Sequence, residues 1–359
     1  MAHAASDAWA APAGRASSAA QQVAADPFEL LAAGETEAAV RLFRQALIKN
    51  PRSAPLHLGL GVAAFAERRD ADAKASLSRA LELDAELTVA RKVLGLVLYR
   101  MGELDAAIVT YDVLVAATPD DAASGETLAR WRREASARDR MTVTAGSSFN
   151  LSFEGPPDGK IATRARESME RATTRIGQVL SVYPLTPIEV VLYTSEQFRD
   201  ITRAPQWAGG AYDGTIRVPV RNALLNEAEL DRVLAHEFTH ALIRSLAPRG
   251  VPVWLDEGLA TTLERADWDA TDQSVPAVAV PLGALAGPFG RFDEAQARAA
   301  YAMSAFAARR LLDEAGGFAV ANLLRDLGAG EAFAEAFEHR IQRSLGEFEA
   351  EFEAAVPRR

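Results

Sequence analysis

Five histidines occur in the 359 residues, and two of them stand four apart in His236-Glu237-Phe238-Thr239-His240. On a helix that spacing projects both imidazoles from one face, one turn apart, where both can reach a single metal ion. Glu237 then stands beside the open coordination position, placed to move a proton. The helix expected over about 227–246 is otherwise apolar, with Val233, Leu234, Phe238, Ala241, Leu242 and Ile243. A buried helix carrying His, Glu and His must satisfy those polar groups, and a metal ion does so. The alternative is two partly exposed histidines on an ordinary amphipathic helix.

A catalytic zinc needs three protein ligands and leaves one position open. His339 lies nearly a hundred residues downstream on a charged helical stretch and reads as a solvated surface histidine. A better third ligand lies in Pro252-Val253-Trp254-Leu255-Asp256-Glu257-Gly258-Leu259-Ala260. Glu257 follows His240 by 17 residues, enough for one helix to end, turn at Pro248-Arg249-Gly250 and give way to another packed against it. Beside an HExxH helix, Glu257 reads as that ligand. On their own, Asp256 and Glu257 read equally as two acids stabilising a helix N-terminus through its dipole.

The elements that carry these residues follow a helical repeat. Asn50, Asp84 and Thr118 each end an amphipathic segment and are spaced by 34. The same offset links Gly34, Arg68 and Gly102 at a turn, Ala39, Ala73 and Ala107 in a second helix, and then Phe43, Leu77 and Tyr111. It also joins Leu31, Phe65 and Tyr99 in the first helix, and Gly61 with Gly95. This 34-residue helix-turn-helix period resembles the tetratricopeptide repeat, with units at about 54–86 and 88–120 and a truncated one before them. A generic bundle in accidental register is the competing reading. A polar, Arg-rich helix over 128–140 reads as a cap or linker.

After it the pattern changes. Phe149 to Phe153 alternates as a strand and is followed by a Gly155-Pro156-Pro157 turn; Ile161 to Leu180 reads as a helix. Pro187 to Tyr193 reads as a buried strand, and Thr215 to Val220 as a short one that Pro219 places at a sheet edge. Beyond Glu227 the chain is mostly helical, so strands grouped before helices predict an α+β domain. The expected organisation is a disordered tail over 1–26, helical repeats with a capping helix over 27–140, and an α+β domain over 141–359.

Composition narrows the function classes. Lys and Arg number 39 against 49 Asp and Glu, a formal charge of −10. An acidic chain without a long basic stripe is a poor partner for nucleic acid or an anionic membrane surface. There is no cysteine, which removes disulfides, thiolate nucleophiles and Cys-based zinc sites. The longest apolar stretch, Ser274 to Gly290, is broken by Pro276, Pro281, Gly283, Gly287 and Pro288, so no transmembrane helix is expected. The first 26 residues lack the apolar core of a secretory signal, although Ala2-His3-Ala4 has a small-x-small pattern.

HEFTH followed by VWLDEGLA resembles the gluzincin metallopeptidases, and more narrowly the peptidase MA-like domains that often follow tetratricopeptide repeats in bacterial proteins. The likeness takes in Trp207-Ala208-Gly209-Gly210-Ala211-Tyr212-Asp213-Gly214 and the Ile216 to Pro219 strand. Downstream it reaches Tyr301-Ala302-Met303-Ser304 and Ser344 to Glu349, covering roughly 148–355. The resemblance implies a multidomain chain of all-α tetratricopeptide-like helical repeats followed by an α+β zincin-like metallopeptidase domain. It implies Zn2+ held by His236, His240 and Glu257, with Glu237 as general base toward a zinc-activated water. A peptide substrate would lie antiparallel along the 214–220 strand. Tyr301 is the candidate second donor to the oxyanion, with a core tyrosine as the competing role. Trp254 is expected to pack the ligand helix; Tyr212 and Asp213 either line the cleft or form a plain turn. The Pro- and Gly-punctuated stretch from Asp269 to Gly290 is either a shaper of the cleft or an ordinary connector.

The implied function is a zinc-dependent metallopeptidase whose repeats recruit a protein substrate or partner. The alternative is an inactive metallopeptidase-like repeat scaffold, and a third reading keeps the zinc but cleaves a cell-envelope amide. One departure bears on this choice. Many gluzincins place an Asp four residues after the ligand Glu to orient the first histidine, and here Thr261 stands there. A hydroxyl orients more weakly, which implies lower metal affinity or turnover. No amine-binding acidic motif accompanies Glu257, which leans the reading toward endopeptidase. The family association leans the compartment toward the bacterial cell envelope.

Overall fold

The computed structural model describes residues 26–156, 159–203, 210–220, 227–266, 280–287, 289 and 292–355. The expected tail over 1–26 (apart from Asp26), Pro157, Trp207 to Gly209 and most of the 269–290 stretch lie outside the described residues. The chain divides into two compact units, Met1–Arg132 and Arg133–Arg359.

The first unit is a run of paired helices: α1 (Pro27–Ala32), α2 (Thr36–Lys49), α3 (Ala54–Ala66), α4 (Asp70–Leu83), α5 (Thr88–Arg100) and α6 (Leu104–Ala117), then α7 (Ala122–Arg138), in which the unit boundary falls. The repeat columns are its packing. Ala39, Ala73 and Ala107 are fully buried, and so are Phe43, Leu77 and Tyr111. A methyl group on Gly61 would meet the Leu77 side chain at 2.5 Å, and one on Gly95 the Tyr111 ring at 2.3 Å. Small residues recur 34 apart because large ones from the next helix fill their space. The six-residue α1 is the truncated first helix.

Helix α7 starts at Ala122, earlier than the 128 expected from its polar run. The reason is Asp121, whose carboxylate accepts from Ser124 N (3.1 Å) and Ser124 Oγ (2.7 Å) and pairs with Lys92 Nζ (2.8 Å). The helix is also less polar than it reads. Trp131 is fully buried, stacked on Tyr99 at 4.9 Å and tilted against Tyr111 at 4.4 Å. Hydrogen bonds from Lys92 and Ser124 pull the Asp121 pKa from 3.8 to about 2. A depressed carboxylate contributes stability above its unfolded pKa and loses it as pH falls through the folded one. Asp121→Ala should therefore cost about 1 kcal/mol at neutral pH, with the difference from wild type closing as pH drops from 4 toward 2. Urea melts at several pH values measure both.

The second unit holds a five-stranded mixed sheet among the described residues: β1 (Thr142–Thr144), β2 (Phe149–Phe153), β3 (Ile188–Tyr193), β4 (Ala211–Tyr212) and β5 (Ile216–Pro219), in the order β1-β2-β3-β5-β4. The central strands β2, β3 and β5 are parallel, and β1 and β4 are antiparallel to their neighbours. Both faces of β3 are covered, which is why its sequence is nearly continuously apolar. Val190 and Leu192 face the main core with α8 (Lys160–Leu180), whereas Val191 and Tyr193 pack with Ala137 and with Phe198 and Ile201 of α9 (Ser195–Thr202). Helices α10 (Glu227–Leu246), α11 (Val253–Leu263), α12 (Glu294–Ala329), α13 (Phe333–Ile341) and α14 (Leu345–Ala355) complete the unit. None of the described helices is long and apolar enough to cross a membrane.

The Pro219 strand is not the sheet edge expected of it. β5 lies between β3 and β4, and β4 is the edge. Proline is tolerated because β4 is two residues long and pairs only with Ile216 and Arg217, so its ladder ends before position 219. Arg217 is the other surprise of this strand, being 2% exposed. Its guanidinium reaches Glu134 of α7 (Nη2 to Oε1 3.0 Å) and pairs with Asp213 in the turn before β5. Glu134 is fully buried and also accepts from Tyr193 Oη (3.1 Å) and pairs with Arg138 (3.0 Å).

Candidate metal centre

Helix α10 buries Leu230, Val233, Leu234, Phe238, Ala241, Leu242 and Ile243, while Glu227 and Glu229 in its first turn suit its dipole. That buried stripe fixes the rotation of the helix, and His236 and His240 emerge together beside it, 19% and 14% exposed. Helix α11 packs against α10, anchored by Trp254, which is buried against Phe348 (6.2 Å, stacked) and Phe333 (6.0 Å, edge-on). Trp254 is thus a packing residue. From α11, Glu257 is brought to the histidines.

The three candidate ligands converge. His236 Nε2 and His240 Nε2 are 3.2 Å apart, and Glu257 Oε2 is 3.8 Å from the first and 3.6 Å from the second. A tetrahedral ion with bonds of about 2.0–2.2 Å needs its ligand atoms about 3.3–3.6 Å apart. The three separations bracket that range within about 0.2 Å, and two imidazoles with one carboxylate are a donor set suited to a zinc-sized ion. A second group, Asp326, Glu331 and His339, comes together near the end of α12. There Arg340 already holds both Asp326 oxygens (2.5 and 2.9 Å), and His339 is 60% exposed.

The outer nitrogens of the pair are also occupied. His240 Nδ1 meets Asp256 Oδ1 at 2.8 Å, and Arg244 Nη2 donates to Asp256 Oδ2 at 3.2 Å. His236 Nδ1 meets Glu264 Oε2 at 2.9 Å, and Arg232 Nη1 donates to Glu264 at 3.2 Å. Thr261 makes neither contact; its place as expected orienter of His236 is taken by Glu264, one helical turn further on. A four-residue spacing from Glu257 points to Thr261 and not to Glu264, seven residues on. Burial works against a charged His240, but its hydrogen bonds with Asp256 and Glu257 outweigh it and raise its pKa well above the ordinary imidazole value. Burial likewise opposes ionisation of Asp256, yet His240 and Arg244 hold its carboxyl below the ordinary range.

Glu237 is 7% exposed and faces Gly210, just before β4. A methyl group on Gly210 would sit 2.7 Å from Glu237 Oε1, so only glycine leaves that carboxylate its place. Burial, ahead of every other influence, pushes the Glu237 pKa up from 4.5. Tyr301 on α12 is half-buried, its ring edge-on to Phe289 at 5.4 Å. Burial and the fields of Glu257 and Glu237 raise its pKa to about 12, so its hydroxyl keeps its proton and lies within electrostatic reach of both carboxylates. Tyr212 lies in β4, and Asp213 in the turn pairs with Arg217. A groove of about 760 Å³ has Arg175, Asp231, Arg232 and Glu264 in its wall.

Of the sequence-derived site residues, His236, His240 and Glu257 meet at one point, with Glu237 beside them and Tyr301 in reach. Asp256, Glu264, Arg232, Arg244 and Gly210 were not singled out for these contacts. The two arginines carry a legible signal, since each stands four residues from one of the histidines. No curated protein matches the chain. Residues 30–86 match the tetratricopeptide repeat family model, in keeping with the paired helices of the first unit.

Proposed function

We propose that the second unit is a zinc-dependent peptidase of the gluzincin type, built on a zincin-like α+β fold and similar to peptidase MA-like domains. The observation that carries this is the meeting of His236 Nε2, His240 Nε2 and Glu257 Oε2 at separations close to those of a tetrahedral ion's ligands, with both Nδ1 atoms held by carboxylates. When bound, zinc supplies Lewis acidity toward a carbonyl and makes water a better nucleophile near neutral pH. Glu237 takes the proton released as water attacks the scissile carbonyl, and passes it to the leaving amine. Its burial and raised pKa suit an acceptor that must also give the proton back. Tyr301 donates its retained proton as a hydrogen bond to the developing oxyanion. The outer edge of β4 offers its backbone groups to an extended peptide, with Gly210 keeping the approach to Glu237 open. Tetratricopeptide-like repeats are protein-interaction modules, and in this reading they recruit the protein substrate or its partner.

The test is elemental analysis of the purified full chain beside its His240→Ala variant. Near-stoichiometric zinc in the first and its loss in the second is expected. A peptide library then reads cleavage, with Glu237→Ala as the inactive control. Absence of zinc from both proteins after reloading overturns the peptidase reading and leaves a repeat scaffold.

A further inference from the structure

One face of α10 carries Arg232, His236, His240 and Arg244, each four residues after the last, so the four side chains form a ladder along the helix. The segment 256–264 answers it rung by rung. Glu264 lies between Arg232 and His236, Glu257 faces both histidines, and Asp256 lies between His240 and Arg244. Resting on the metal reading above, we infer that Arg232 and Arg244 are positioning residues of the metal centre, acting through Glu264 and Asp256. Arg244 holds Asp256 Oδ2 and leaves Oδ1 to His240, while Arg232 Nη1 spans both Glu264 oxygens at 3.2 and 3.3 Å, and in each case a fixed carboxylate oxygen accepts from a histidine Nδ1–H. That contact selects the tautomer whose Nε2 lone pair points at the metal position.

Burial supports this assignment over a chance pair of surface ion pairs. Asp256 and Glu264 are 12% and 11% exposed, far less than an ordinary surface carboxylate. Each is shared between one arginine and one histidine rather than turned to solvent. Arg244 is further fixed by donating to the Pro248 carbonyl at 3.3 Å, just beyond the end of α10. The arrangement also explains how the chain manages with Thr261. The orienting carboxylate comes from a position seven residues after Glu257 and needs Arg232 to hold it in place.

The test is a double-mutant cycle on zinc affinity, measured by chelator competition with the full chain as wild type, Arg232→Gln, Glu264→Gln and the double variant. Glu264→Gln should weaken zinc binding by about 10–100-fold, and Arg232→Gln by a smaller factor. The double variant should bind no more weakly than Glu264→Gln alone, because Arg232 has nothing left to hold. Thermal melts of the metal-free proteins should stay close to wild type, which separates positioning from general destabilisation. Additive losses, or unchanged affinity in Glu264→Gln, overturn the ladder while leaving the metal centre standing. A wild-type chain that takes up no zinc overturns the metal reading itself, and the ladder with it.

Discussion

Replacing Glu237 with glutamine is expected to lower peptide hydrolysis by about 10²–10⁴-fold while zinc content stays at the wild-type level. The two readouts separate because Glu237 is not one of the converging ligand atoms. It stands beside them, buried against Gly210 and in the fields of His236 and His240. Glutamine preserves the shape and the packing but cannot accept a proton. The loss should fall on kcat more than on KM, since the group acts as the proton moves rather than in substrate docking. Steady-state kinetics on a cleaved library peptide, with zinc quantified on the same samples, decide it. Full activity in the variant would remove Glu237 from the mechanism.

The second large effect lies away from the metal. Glu134→Ala should destabilise the chain by about 3–5 kcal/mol. Glu134 is fully buried and serves Arg217, Arg138 and Tyr193 at once. Its removal takes one carboxylate from the 2%-exposed Arg217, which also pairs with Asp213. Burial and the neighbouring Glu134 charge already hold the Tyr193 hydroxyl protonated, at about 12. Replacing the pair together, as Glu134→Leu with Arg217→Met, should recover much of the loss, because apolar side chains of similar volume carry no desolvation penalty. Calorimetry of the single and double variants checks both halves. A single variant as stable as wild type would mean that water reaches Arg217.

Much of this architecture was legible in the sequence for identifiable reasons. The repeat columns are short-range consequences of helix crossing, so Ala39, Ala73 and Ala107 announce themselves by spacing alone. His236 and His240 are legible because helix geometry turns a four-residue interval into a shared face, and Glu257 because its acidic segment opens the next helix after a short turn. Other features depend on long-range pairing that local pattern does not carry. Pro219 suggested an edge, but two residues of β4 were enough to cover the strand up to its ladder's end. The burial of Arg217 has no local signal, because it depends on Glu134, 83 residues earlier. Trp131 was hidden among the arginines of a helix that looked solvated. Glu264 was missed because a fixed spacing was expected where a different carboxylate with its own arginine does the work.

The ligands and their supporting groups all fall between Arg232 and Glu264, on two neighbouring helices joined by a short turn. Gly210 and Tyr301, to which the proposed reading gives the substrate side, come from remote parts of the chain. In the proposed reading, capturing an ion and turning over a peptide therefore rest on different parts of the fold. In that reading, disturbance of β4 or of α12 would silence turnover while the metal stays bound. In the proposed peptidase reading, zinc content alone is consequently a measure of local assembly, and hydrolysis a measure of the whole second unit.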